Sequence, residues 1–135
     1  MKDINIWAVL VAAMSSFLLG GFWYSKSFLG GLWNREAGRG EKAEHGQQDH
    51  HPARVFGVSI VFSVIAAVAF AIWIGPNPPL ETALMKGLVA GSCFVATSFG
   101  INYQFASRST LMWLIDGGYH TVQFVLYGLV LGLWH

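Results

Sequence analysis

The sequence has little charge and almost no cysteine. Of its 135 residues only 11% are Asp, Glu, Lys or Arg, whereas a soluble domain carries about a quarter. Hydrophobic residues make up 54%, and a soluble chain this short could not bury so much apolar surface, because small domains keep much of their surface in water. The formal net charge of +1 gives no reason to expect a nucleic acid partner. The single Cys93 excludes an intrachain disulfide and a cysteine-based zinc site.

The chain contains four long apolar runs. Residues 4–24, 55–75 and 87–105 carry no charge, and residues 111–134 are interrupted only by Asp116 and His120. A membrane-spanning helix needs about 20 predominantly apolar residues, and in lipid its backbone must satisfy its own hydrogen bonds. The sequence therefore predicts an all-α fold, a single bundle of four transmembrane helices over residues 1–135, with the lipid bilayer as its surroundings.

Aromatic residues lie near the ends of these runs. Trp and Tyr favour the headgroup level of a bilayer, because their rings are apolar and their N–H or O–H groups need a partner. The predicted interfacial anchors are Trp7, Trp73 and Trp134 on one side, and Trp23, Tyr24, Trp33 and Trp113 on the other.

Basic residues are distributed unevenly between the two predicted sides. The first and third loops share one side and carry Lys26, Arg35, Arg39, Lys42, Arg54 and Arg108. The other side carries only Lys2 and Lys86. Because cytoplasmic loops are enriched in Lys and Arg, we expect a multi-pass protein of the cell (inner or plasma) membrane with both termini outside.

The first loop, residues 25–53, is the only long one. An apolar face at helical spacing predicts a short interfacial helix on the cytoplasmic leaflet; it consists of Phe28, Leu29, Leu32 and Trp33. Further along, His45, His50 and His51 are weak candidates for metal ligands. Their irregular spacing favours a solvated loop instead, and no cofactor is expected.

Small residues recur every four positions in each run. Such stripes let helix backbones approach closely where lipid gives no hydrophobic drive. They could pack within one chain or against another subunit, and Gly128 with Gly132 is the stripe we expect to face a partner. The sequence thus favours a homo-oligomer or an assembly with other membrane subunits.

One polar constellation stands out in the last run. Asp116 and His120 are spaced i, i+4 and so share a helix face, which Gln123 continues. A carboxylate at this depth costs on the order of 2.5–3.5 kcal/mol, so it should face the bundle interior and have partners. The best candidates by depth are Asn102, Tyr103 and Arg108.

Two functions fit this constellation. It could belong to a proton- or cation-linked channel or transporter subunit, with Asp116 holding the proton or cation and His120 relaying it. It could instead be a hydrogen-bonded clasp between helices, in an accessory or scaffold subunit without transport of its own. An enzyme is not predicted, because no Ser, His and Asp stand at a convincing spacing.

Two segments resemble a known bacterial family. The first is Gly20-Gly21-Phe22-Trp23-Tyr24-Ser25 with the following Phe28-Leu29-Gly30 and Trp33, and the second runs from Arg108 to His120 through Ile115-Asp116-Gly117-Gly118-Tyr119. They are similar to small membrane proteins grouped as domain of unknown function seventeen sixty-one. The resemblance implies a four-helix membrane protein and implies no activity.

Overall fold

Helices form most of the structure, a computed structural model that describes residues 4–38 and 52–134. Within these residues five helical segments follow one another: α1 Ile6–Trp23, α2 Gly30–Glu36, α3 Pro52–Ile74, α4 Leu80–Phe105 and α5 Thr110–Leu133. Helix α4 is continuous but takes π-helical hydrogen bonding over Ala90–Ala96. No β-strand occurs in the described ranges, which confirms the all-α prediction.

Three of the described helices are long and apolar enough to cross a membrane: Ile6–Trp23, Ala53–Ile74 and Leu80–Phe105. The third helix begins at Leu80, ahead of the predicted start at residue 87. Pro79 precedes its first turn, and the charged residues Glu81 and Lys86 are tolerated because they lie near the helix end. Helix α5 has 24 residues, but Asp116, His120 and Gln123 lower its mean hydropathy. A fourth crossing therefore stays a prediction.

Helices α1 and α3 pack through their small residues, as the stripes predicted. Ala8 and Ala12 of α1 and Ala67 of α3 are all fully buried, and Ala71 is 3% exposed. With Val9, Phe70, Tyr127 and Leu131 they form the apolar core of the bundle. Small side chains let these two backbones approach closely, so this stripe serves packing within the chain.

Glycines bring α4 and α5 into backbone contact. A Cβ on Gly128 would lie 2.3 Å from the carbonyl oxygen of Ala83, and one on Gly87 would lie 2.3 Å from that of Phe124. A Cβ on Gly132 would meet Leu80 at 2.8 Å. The prediction that Gly128 and Gly132 face another subunit is therefore wrong, because both glycines face α4 of the same chain.

The first loop contains a short helix that contacts the rest of the bundle. Helix α2 packs against α5, and its polar residue Asn34 is only 6% exposed. Trp33 is half-buried. The position of α2 at a membrane surface stays a prediction. Arg39, Lys42 and the weak metal-ligand candidates His45, His50 and His51 lie outside the described residues.

Candidate functional site

Asp116 is the one buried carboxylate among the residues that the structure describes. It lies in the second turn of α5 and is only 5% exposed. A buried carboxylate is costly unless hydrogen bonds satisfy it. The arrangement of the other helices around Asp116 supplies these bonds.

Three neutral donors reach the two carboxylate oxygens. The Tyr24 hydroxyl donates to Oδ1, and the Tyr103 hydroxyl donates to Oδ2. The indole N–H of Trp33 also donates to Oδ2, at 3.3 Å. Tyr24 ends α1, Trp33 lies in α2 and Tyr103 lies in α4. Asp116 thus joins three separate segments to α5, and we term these four residues the carboxylate cage.

The turn after α1 places two of the three donors. Tyr24 is the C-cap of α1, and the Gly30 N–H donates to the Ser25 carbonyl at 2.8 Å to close the turn. A Cβ on Gly30 would lie 2.2 Å from the Tyr24 carbonyl oxygen, so only glycine fits there. The turn brings the rings of Tyr24 and Trp33 together, with their centroids 6.0 Å apart.

Two tryptophans bind to backbone carbonyls next to the cage. The Trp23 N–H donates to the Ile115 carbonyl at 2.9 Å, and the Trp113 N–H donates to the Ala96 carbonyl at 2.8 Å. A Cβ on Gly118 would lie 3.2 Å from the Trp23 ring. Gly118 therefore leaves room for the Trp23 ring beside α5. The helix stays regular at this glycine. Trp23 and Trp113, predicted as interfacial anchors, thus also connect helices.

The tryptophans predicted at the opposite side are more exposed. Trp7 is 67% exposed, and Trp73 and Trp134 are each 46% exposed. The ammonium group of Lys86 lies 5.3 Å from the centroid of the Trp73 ring, a cation–π contact. Exposed indoles suit an interfacial anchor, so these three keep that predicted role.

His120 belongs to a second polar network. Its ring stacks on Phe99, with the centroids 4.9 Å apart and the planes 16° from parallel. Its Nδ1 meets the side-chain oxygen of Gln123, and because this oxygen only accepts hydrogen bonds, Nδ1 carries a proton. The Gln123 amide then donates to the Tyr127 hydroxyl at 2.8 Å, which donates to the Ser63 carbonyl of α3 at 3.2 Å.

The predicted site residues thus separate into two groups. Asp116 and Tyr103 lie in the cage, whereas His120 and Gln123 lie in the second network. In the part of the chain that the structure describes, Asp116 and His120 make no hydrogen bond to each other. Asn102 is exposed and lies outside both groups.

Arg108 does not supply the counter-charge that its depth in the sequence suggested. Its side chain is exposed, and the described residues show no ion pair to Asp116. The cage donors that the structure describes are all neutral, so hydrogen bonds from Tyr24, Tyr103 and Trp33 stabilise the carboxylate in place of an ion pair.

Sequence reasoning missed Trp33 as a partner of Asp116, and it treated Tyr24 as an anchor. Trp33 is too far from Asp116 in the chain for any helical spacing to connect them. The available signal was Gly30, since a glycine just after an apolar helix often marks a tight turn. A tight turn would have carried Trp33 back over the end of α1.

The fold and the cage define a class of protein: an all-helical chain with helices of membrane-spanning type and a buried, hydrogen-bonded carboxylate. The chain belongs to the family described as "Protein of unknown function (DUF1761)", whose model matches residues 7–132. This confirms the resemblance carried by the Gly-Gly-Phe-Trp-Tyr and Asp-Gly-Gly-Tyr-His segments. No curated protein and no solved structure matches the chain.

Proposed function

We propose that the chain is a four-span integral membrane protein of the cell membrane, with both termini outside. Its three apolar helices support this, and so does the way α5 turns its polar side chains inward. Asp116 and Gln123 are 5% and 6% exposed. A helix whose polar groups are satisfied by its neighbours can cross a bilayer despite a modest hydropathy.

We further propose that the protein is a channel or transporter subunit linked to protons, with Asp116 as its protonation site. The carboxylate cage is the observation that carries this proposal. A metal cation would need the carboxylate oxygens as ligands, but both oxygens already accept hydrogen bonds from Tyr24, Tyr103 and Trp33. The cage therefore suits a proton better than a metal cation.

Protonation of Asp116 has a structural consequence. The neutral acid is a weaker acceptor, and one of its oxygens becomes a donor. The hydroxyls of Tyr24 and Tyr103 would then lose or reverse their hydrogen bonds. Because these hydroxyls belong to α1 and α4, loading a proton would loosen both helices from α5. His120, one turn further along α5, offers a second titratable group on the same helix.

Proton flux into vesicles tests this function. The purified chain is reconstituted into liposomes that enclose a pH-sensitive dye, and an imposed pH gradient or membrane potential drives the flux. We expect wild-type vesicles to change pH faster than empty ones and Asp116→Asn to abolish the difference. Glu81→Gln is the matched control, because Glu81 is an exposed carboxylate in the first turn of α4.

Two results of the flux assay would contradict the proposal. One is a flux equal to that of empty vesicles under either gradient. The other is a flux that Asp116→Asn leaves unchanged. The Glu81→Gln variant shows whether any loss follows from removing a carboxylate in general.

A second candidate is an accessory subunit of a larger membrane assembly. The observation that favours it is that both polar networks are satisfied inside the chain, as in a clasp that only fixes helix positions. Native mass spectrometry from gentle detergent would then show a stable partner or homo-oligomer, while Asp116→Asn would leave vesicle pH unaffected. A monomeric species with Asp116-dependent proton flux would reject this candidate.

A further inference from the structure

A cleft of about 520 Å³ lies between α1 and α3. It is formed by the last two turns of α1 and the first turns of α3, and the Tyr119 ring of α5 contributes to its lining. The residues used below are Phe17, Gly21, Phe56 and Ser63. Neither the carboxylate of Asp116 nor the imidazole of His120 lines it.

The cleft exists because α1 and α3 are packed closely at one end only. Ala12 and Ala67 are fully buried between the helices, but no described residue of α3 before Ser63 is buried. There Phe17 and Phe56 meet edge to face, with their centroids 5.9 Å apart. A Cβ on Gly21 would meet no atom within 4 Å. The large rings and the bare glycine leave a space that opens sideways.

The walls of the cleft determine what it can hold. Its volume lies in the range of about 300–1,000 Å³ that is usual for small-molecule sites, which combine apolar walls with a few polar groups. None of its lining residues is ionisable except the phenols of Tyr24 and Tyr119, so no cation is present to bind a phosphate headgroup. An uncharged, mostly apolar molecule is the complementary occupant.

One buried hydroxyl in the cleft has no partner in the described part of the chain. Ser63 is 9% exposed, and its carbonyl accepts from Tyr127, but its side-chain hydroxyl forms no hydrogen bond there. Leaving a buried hydroxyl unsatisfied costs about 1–3 kcal/mol. A ligand oxygen at this position would remove that cost. The Tyr119 hydroxyl, in contrast, already donates to the Ser16 carbonyl at 2.9 Å.

We propose that this cleft binds a free, neutral, long-chain molecule with one hydrogen-bonding oxygen, of the class of a long-chain alcohol. The chain would lie along Phe17 and Phe56 with its oxygen on the Ser63 hydroxyl. Such a molecule partitions into the bilayer and would enter from the side, because α1 and α3 are both apolar enough to cross a membrane. The proposal does not depend on whether Asp116 carries protons.

Photolabelling tests the site. The full chain is placed in phosphatidylcholine nanodiscs, and the probe is a long-chain primary alcohol with a diazirine in mid-chain. After irradiation, mass spectrometry identifies the labelled peptides. We expect labelling of residues 17–24 and 55–63 to saturate and to fall on the order of tenfold with a large excess of unlabelled alcohol, because both molecules compete for one site of finite affinity. Labelling of exposed residues elsewhere should rise linearly with probe.

Two glycines provide a matched pair of variants. Gly21→Phe fills the cleft, and Gly57→Phe adds the same ring elsewhere, since a Cβ at Gly57 also meets no atom within 4 Å. Saturable labelling should disappear in Gly21→Phe and persist in Gly57→Phe, and Ser63→Ala should weaken it several-fold. Labelling that never saturates, or that is equal in both glycine variants, would mean that ordinary phospholipid chains fill the cleft and would overturn the proposal.

Discussion

Removing the Tyr24 hydroxyl should weaken the carboxylate cage selectively. In Tyr24→Phe the ring keeps its shape, so its packing against Trp33 is retained. Oδ1 of Asp116 then loses the donor that Tyr24 supplies, while Oδ2 keeps Tyr103 and Trp33. The substitution therefore leaves one buried carboxylate oxygen without a donor among the described residues.

The size of the effect follows from the charge and the surroundings. A hydrogen bond to a charged group is worth about 1.5–3 kcal/mol in water-soluble proteins, whereas interhelical bonds in a membrane protein average about 0.6 and reach about 1.7 kcal/mol. Because Tyr24 donates to a buried carboxylate, we expect a loss near the upper membrane value. About 1.5 kcal/mol corresponds to roughly a tenfold change in the unfolding equilibrium.

A double-mutant cycle in mixed micelles measures this interaction. Unfolding is followed by circular dichroism as the fraction of sodium dodecyl sulfate rises, for Tyr24→Phe, Asp116→Asn and the double variant. We expect a coupling energy of about 1 kcal/mol or more between the two positions. Tyr119→Phe is the control, because its hydroxyl donates to the Ser16 carbonyl and should give no comparable coupling to Asp116→Asn.

Additivity would refute this reasoning. If the free-energy losses of Tyr24→Phe and Asp116→Asn sum to that of the double variant within about 0.3–0.5 kcal/mol, the two groups are independent. Equal coupling for Tyr24→Phe and Tyr119→Phe would likewise show that the effect comes from general loosening of α5.

Two further predictions concern packing and topology. Gly128→Ala should destabilise the fold by about 1–3 kcal/mol, because its Cβ would lie 2.3 Å from a backbone oxygen. Gly21→Ala, with open space at that position, should cost nothing measurable in the same unfolding assay. Equal losses in the two variants would contradict the α4–α5 contact. If both termini lie outside, a membrane-impermeant maleimide should modify Pro76→Cys in intact cells, and Ala106→Cys only after permeabilisation, each in a Cys93→Ser background. The reverse pattern would place both termini inside.

The helices were predictable because their signal is local. An uncharged run of sufficient length predicts a membrane helix without reference to any other segment, and residues 4–24 and 55–75 match α1 and α3 closely. Small residues at every fourth position correctly indicated close approach of helices. They could not indicate which helix approaches, since Gly128 presents the same bare backbone to α4 as it would to a second subunit.

The candidate site was predictable only where its residues share a helix or a depth. The spacing in α5 placed Asp116, His120 and Gln123 on one face, and depth suggested Tyr103. The contribution of Trp33 depends on the turn that Gly30 permits, which is a matter of backbone conformation more than of hydropathy. Depth alone also suggested Asn102, which is exposed, because residues at one depth can point in any direction around their helix.

Helix α5 shows why hydropathy and enclosure can disagree. It is not among the three described helices that are apolar enough to cross a membrane, yet it packs against every other helix that the structure describes. Its buried residues include Asp116, Gln123 and Tyr127, whose polar atoms bind to α1, α3 and α4 or to one another. Mean hydropathy counts these residues as if all faced lipid, but only the outer face of such a helix does. A central helix can therefore be polar enough to carry a titratable site because its neighbours, and not the bilayer, surround that site.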